Sequence, residues 1–365
     1  MDIARLLTFA DIEQLNKIAS TYECNVNPHS KRDLIQSLLF RIGDPTFPER
    51  EWSTISFAER RFLQLLYFDT RRHYSLEDLI GKGRIALRDL DGSPRALVAV
   101  SLRKGWLFPG TTARNRYLYH PARDLIARML HSFLWNGSDQ HEMITPNVYR
   151  SEESLLEKDL LLFLRSMQES TLPLSAEGAI HRHYQKSILQ SMSVTEQLLQ
   201  SPRFRFGFGS RYHLYPDRFS FIYEYALYKG YIQELAQKEV GLTSDGYTRS
   251  LAGEGGEDFE LLSFWIRLYR GPIPHLSLIL RWIDYASYQR WVPLHQLKKI
   301  SEDWLDAYYY LSVEGLWEKI IEMLLHLGVI WWGESGEEAV ICVSPSGHER
   351  ITALCGKDSN HTNKN

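Results

Sequence analysis

The chain has 365 residues, 44% hydrophobic and 24% charged, with 10 Trp, 20 Tyr and 16 Phe. That length exceeds a comfortable single core, and the composition excludes disorder over most of the chain, so two to four packed modules are expected. The net charge of −3 is unevenly spread: residues 1–135 carry 20 Lys and Arg against 15 Asp and Glu, and residues 251–365 carry 10 against 16, so a polyanion would meet the front of the chain.

Cys24, Cys342 and Cys355 are far apart and form no CxxC pair. That spacing argues against a zinc site or a disulfide framework and suits a reducing compartment. The N-terminus carries Asp2 and Arg5 and no long apolar run, so no signal peptide is expected. The most apolar windows, 160–164 and 320–327, are too short to span a bilayer. These features predict a cytoplasmic protein, a nucleoid-associated one included.

Residues 3–42 predict two helices around an extended link. Ile3, Leu6, Leu7, Phe9, Ile12, Leu15 and Ile18 continue one apolar face at helical spacing. Pro28 forces its neighbour extended, and Ser30 is a good N-cap for a helix whose inward stripe is Leu34, Ile35, Leu38 and Leu39. This stretch resembles the helix–extended–helix nucleic-acid-binding modules of the SAP and Rho-N type. The resemblance is carried by Leu15, Ile18, Ala19, Val26, Ser30, Lys31, Asp33, Leu34, Ile35 and Leu38. Asn25 and Asn27 stand where those modules usually have Gly. A hairpin that only packs on its neighbour fits the same pattern.

Residues 50–135 predict three helices and a hairpin. The first carries Ile55 to Phe68, the second is capped by Ser75, and the third runs from Pro94 towards Gly105 with Leu97, Val98, Val100 and Leu102 inward. Trp106-Leu107-Phe108 and Arg116–Tyr119 then alternate like strands about a polar wing. That is the order of a winged helix, whose third helix enters the major groove.

Residues 150–250 predict a helical middle domain. Leu155–Met167 form a buried helix, Ser175 caps a second over 174–189, and a third spans 218–229. Between them "PRFRFGFGSRYHLYPD" alternates charge and rings as an aromatic and basic hairpin, and 253–257 reads as a linker. Residues 257–355 repeat the helix–Gly–hairpin order, with two apolar strands in "VIWWGESGEEAVICV". Residues 356–365 predict a disordered tail. The fold class is therefore mainly α with small β-hairpins: tandem winged-helix-like modules at 50–135 and 257–355, a helical domain at 150–250, and a helix–extended–helix module at 1–45.

No phosphate loop, HExxH or GxSxG occurs, and His181 and His183 lie about 200° apart on a helix, too divergent to chelate one ion. The acid pairs suit solvated faces better than acid–base work. No metal, cofactor or catalysis is expected.

The positive signal is basic residues among rings. Arg95, Arg103 and Lys104 on the third helix and Arg114 and Arg116 in the wing could meet phosphates, as could Lys31 and Arg32. Arg203, Arg205 and Arg211 alternate with Phe204, Phe206 and Tyr212, which could stack on unpaired bases. The same alternation fits a half-buried strand. Trp331 and Trp332 are candidate protein-interaction anchors.

"RALVAVSLRKGWLFPG" with "RNRYLYHPARDL", and "WEKIIEMLLHLGVIWWGE" with "EEAVICVSPSGHERI", resemble the helicase-associated winged-helix accessory region of XPB-type helicases. The likeness is spread over residues 50–350 and includes no motor. It implies a non-catalytic accessory of DNA transactions, with Arg95, Arg103, Lys104 and Arg116 as its contacts. DNA is the expected partner ahead of RNA, and a helicase or other replication, repair or transcription protein is the second. The alternative is an adaptor that docks such machinery through its winged helices.

Overall fold

The computed structural model describes residues 2–112, 114–135, 144–199, 207, 209, 211–309 and 311–355. It is mainly helical with small antiparallel sheets. The chain divides into two compact units, one reaching residue 142 and one spanning 143–355.

The first unit opens with α1 (Ile3–Phe9), α2 (Ile12–Thr21) and α3 (Lys31–Gly43). The single helix predicted over residues 3–18 is two. Ala10 and Asp11 are extended, and Asp11 accepts from Gln14 N at 2.7 Å to cap a new start. Ser30 caps α3 as predicted. Its buried row is Leu34, Leu38 and Ile42, while Ile35 is half-buried and Leu39 exposed. The inward face of α3 is one narrow row at four-residue spacing, not the broad stripe expected.

The unit continues with α4 (Phe47–Thr54), α5 (Phe57–Tyr67), α6 (Leu76–Leu87), α7 (Pro94–Arg103), β1 (Leu107–Pro109), β2 (Tyr119–Pro121) and α8 (Arg123–Trp135). Ser56 with Glu59, and Ser75 with Asp78, close reciprocal caps on α5 and α6. β1 pairs with β2, and Tyr74, just before α6, bridges Tyr119 of β2. The second hairpin strand starts at Tyr119, later than predicted, because Leu118 N donates back to Asn115 O to finish the turn. The modules predicted at 1–45 and 50–135 lie in one compact unit. α2 packs on α7, where Gln14 Nε2 donates to Leu102 O at 2.7 Å and Tyr22 donates to Lys104 O at 2.8 Å.

The second unit holds β3 (Tyr149–Arg150), α9 (Leu155–Arg165), β4 (Leu172–Pro173), α10 (Arg182–Ser191), α11 (Asp217–Tyr228), β5 (Ile232–Leu235), β6 (Glu239–Leu242) and α12 (Ser244–Leu251). Then come α13 (Asp258–Leu268), α14 (Leu276–Ser287), β7 (Val292–Pro293), α15 (Leu294–Trp304), α16 (Val313–His326), β8 (Ile330–Ser335), β9 (Glu338–Val343) and α17 (Pro345–Cys355). Ser175 caps no helix. It closes a turn with Ala179, accepting at Oγ from Ala179 N at 3.3 Å, and α10 starts only at Arg182. The aromatic and basic hairpin predicted around 203–212 lies largely outside the described residues. The hairpin of this region is β5–β6, whose strands pair from Ile232 with Leu242 to Leu235 with Glu239.

One order of parts occurs three times among the described residues. In α5–Tyr74–α6–α7–β1–β2, in α9–β4–α10–α11–β5–β6 and in α14–β7–α15–α16–β8–β9, the first strand or bridge pairs with the third, and the third with the second. This is winged-helix order. Each third helix ends in the same lock: Gly105, Gly230 and Gly328 sit at φ of 67°, 68° and 64°. The following residue donates back at 2.9 Å to Ser101, Ala226 or Leu324, the αL closure that glycine allows at no steric cost. The matching segments, "SLRKGWL", "ALYKGYI" and "LLHLGVI", share a Leu, a Gly and a final aliphatic residue.

Candidate nucleic-acid interface

Only one of the three repeated third helices offers an open basic face. On α7 the exposed residues are Arg95, Ala96, Ala99 and Arg103. Arg95, Ala99 and Arg103 follow at i, i+4 and i+8, so they form one gently rotating row. Leu97, Val98 and Ser101 face the core. Val100 and Leu102, predicted inward, are half-buried. Neither arginine makes an ion pair or side-chain hydrogen bond among the described residues. The two alanines between them leave room for a close approach.

Lys104 does not join this row. Its Nζ lies 2.8 Å from Glu51 and 3.8 Å from Glu59, and 4.8 Å from the centre of the Trp106 ring. The helix ends at Arg103, and Lys104 begins the αL lock, which turns its side chain onto the body of the unit. The equivalent Lys229, before Gly230, lies over Tyr231 and pairs with Glu260. Both lysines close their helix ends, so Lys104 is corrected from a phosphate contact to a structural ion pair.

The wing is built from Gly110 to Leu118. Gly110 N donates to Leu118 O at 2.8 Å, and Asn115 Oδ1 accepts from both Thr112 N and Thr112 Oγ1 at 2.7 Å. A Cβ on Gly110 would lie 2.0 Å from Asn115 O, so only glycine fits that approach. Asn115 is therefore spent on the turn. Arg114 and Arg116 stay exposed, and Arg116 lies 4.6 Å from the ring centre of Tyr117, itself 68% exposed.

Lys31 and Arg32 occupy the first turn of α3, exposed and without partners among the described residues. Cations there oppose the helix dipole, so α3 gains no stability from them. An external anion would turn that local cost into a use.

The second unit contributes less than predicted. Arg203 and Arg205 lie outside the described residues. Arg211 is not available to a phosphate, because Nη2 lies 2.8 and 2.7 Å from the two oxygens of Glu234. Burial pushes its proton affinity down, but that paired carboxylate outweighs burial and raises it. α11 is buried along most of its length; only Tyr228, near its end, is exposed, and it packs on Phe264 and Arg267 of α13, the ring stacked at 4.8 Å and the guanidinium at 3.9 Å. α16 turns Glu314 and Glu318 to solvent, with Lys319 and Glu322 half-buried beside them. Trp331 and Trp332 are half-buried neighbours on β8, facing opposite sides of the sheet. Trp331 Nε1 donates to Glu153 at 2.9 Å, and its ring packs 5.3 Å from Tyr149 and 6.4 Å from Trp291.

No protein-family model matches the chain, and no curated protein matches it. The described residues contain no group of three or more His, Cys, Asp and Glu able to hold a metal. None of their helices is long and apolar enough to cross a membrane.

Sequence reasoning missed Ala96, Ala99 and Tyr117 as parts of this face. Alanine carries no chemical signal of its own, and its value here comes from being exposed between two free arginines. The burial of α11 was also invisible, since α9 and α13, whose Phe163 and Phe264 pack on it, are distant in the sequence.

Proposed function

We propose that the protein is a non-catalytic nucleic-acid-binding accessory of DNA transactions, working in the cytoplasm or on the nucleoid. It grips duplex DNA through α7 and the wing of its first winged helix. The observation that carries this reading is the exposed row Arg95–Ala99–Arg103, free of carboxylate partners, on the helix that in winged-helix folds enters the major groove. Guanidinium groups bind phosphate or guanine edges in a fork, and alanine between them can touch a thymine methyl. Arg114 and Arg116 add backbone contacts beside the groove.

The test is fluorescence anisotropy with a labelled duplex, a single strand and an RNA duplex at two salt concentrations. Duplex DNA should bind with affinity falling steeply as salt rises. Arg95→Ala with Arg103→Ala should weaken duplex binding about tenfold or more and move the melting temperature by no more than a few degrees. Equal binding by parent and double variant would make this face ordinary solvated surface.

A second reading, an adaptor that docks a helicase-like protein, draws on α16. The position that reads DNA in a winged helix carries Glu314, paired with Lys298 at 2.6 Å, and the exposed Glu318 there, and carboxylates at that position repel phosphate and suit a basic protein. Recovery of a helicase or polymerase subunit after nuclease treatment, lost in Glu314→Lys with Glu318→Lys, would favour it.

A further inference from the structure

Beside the basic row, the first unit has a cleft of about 480 Å³ between the start of α5, the α6–α7 loop and the inner flank of α7. Its apolar lining is Phe57, Leu87, Leu90, Ala96, Leu97 and Val100. Leu90 is 41% exposed, so water meets much of this surface. The two charged residues that line it, Glu59 and Asp91, are both acidic. Glu59 is engaged by Ser56, but Asp91 is exposed and has no partner among the described residues. Gly92 in this loop sits at φ 157°, a backbone conformation that residues with a side chain rarely adopt.

The same unit displays the complement of this cleft. Phe40, on the outer side of α3, is 86% exposed, and its neighbour Leu39 is 36% exposed. Arg41 follows, exposed and without an ion pair among the described residues. A lone exposed leucine is unremarkable, but a phenylalanine almost fully in water next to an exposed cation is a knob that fits an apolar hole with an unpaired acid. The cleft has room for a phenylalanine ring, and apolar surface and opposite charge stand on the two sides.

We propose that Phe40 of one copy of this chain seats in the α5–α7 cleft of a second copy, with Arg41 facing Asp91. Knob and hole are different patches of the same unit, so the contact is heterologous and can be repeated from copy to copy. Burying one Phe40 side chain per contact against the apolar cleft supplies the driving force, and the ion pair sets the direction. The inference does not depend on nucleic-acid binding.

Sedimentation velocity and light scattering over about 1–200 μM test it on the full chain without nucleic acid. The parent should associate reversibly with rising concentration. Phe40→Ala and Leu90→Arg should each stay monomeric while melting with the parent, since both positions are exposed. Mixing the two variants is the decisive arm. Phe40→Ala retains an intact cleft and Leu90→Arg an intact knob, so the mixture should form a one-to-one complex that neither forms alone. A monomeric parent at 200 μM, self-association of either variant like the parent, or a mixture that remains monomeric would each overturn the proposal.

Discussion

Lys104 and Arg103 are adjacent in sequence and have opposite fates. Arg103 is the last helical residue and stays in water, whereas Lys104 enters the αL lock and lies against Glu51 and Trp106. Lys104→Ala should therefore cost about 2 kcal/mol of stability by leaving a half-buried carboxylate unpaired, and leave duplex affinity within about twofold. Urea unfolding and anisotropy on the same variant separate the two effects. Asp69 makes a second residue-scale prediction. Burial pushes its carboxyl up, but hydrogen bonds from Arg71 and the charge of Lys82 at 2.7 Å outweigh that and hold it down at about 2. A carboxyl depressed in the folded state stabilises the fold above its unfolded value of roughly 3.9, and the stabilisation is lost as pH falls towards 2. Acid titration followed by circular dichroism should show stability dropping between about pH 4 and 2, with a shallower slope in Asp69→Asn.

At the scale of elements, three helices in one repeated position have taken three roles. α7 is open and basic, α11 is buried, and α16 is acidic on its exposed side. What they share is the glycine lock, and its environment predicts a ranking. A Cβ at Gly230 meets nothing within 4 Å, so Gly230→Ala should cost only the left-handed backbone strain, about 1–2 kcal/mol. At Gly328 the added Cβ would lie 2.6 Å from Glu153 Cα, a backbone atom that cannot swing aside. Gly328→Ala should cost clearly more, and equal melting shifts for the two would show that the strand-side packing at Gly328 yields. The helix–Gly–hairpin order at 50–135 and its repetition at 257–355 were legible in the sequence. The first strand of each module was not, because it is only one or two residues long and carries no alternation.

Over the whole molecule, the charge gradient along the chain is expressed unit by unit. The free arginines gather on the first unit, while in the second Arg218 is consumed in its interior. Arg218 is fully buried and donates to Asp159 at 3.0 and 2.9 Å and to Glu152 at 2.8 Å, and Glu152 accepts or shares a proton with His326 Nδ1 at 2.8 Å. Burial pushes the Glu152 carboxyl up, but His326, Arg218 and Arg150 together lower it. This network joins α9 and α11 of the middle winged helix to the end of α16 in the next. Arg218→Ala leaves the buried Asp159 without a charged partner and Glu152 with only His326 and Arg150, and should destabilise the second unit by about 3–5 kcal/mol, read as an earlier melting transition. The basic row on α7 should retain its DNA affinity below that temperature.

Local chemistry was enough to read the helix starts at Ser30, Ser75 and Pro94, the glycine stops at Gly105, Gly230 and Gly328, the C-terminal hairpin and the mainly helical class, whereas Gly81 and Gly83, expected to close α6, lie inside it. Caps, prolines and apolar spacing act over a few residues, and their signals lie in those residues. Arg95, Arg103 and Arg116 were legible as exposed cations for the same reason. Tertiary structure alone decided that Lys104 and Arg211 are bound to carboxylates, that α11 is covered and that Tyr74 serves as a strand. Each of those outcomes depends on a partner distant in sequence or on a backbone turn, and a side chain's charge does not say whether a carboxylate will be folded against it.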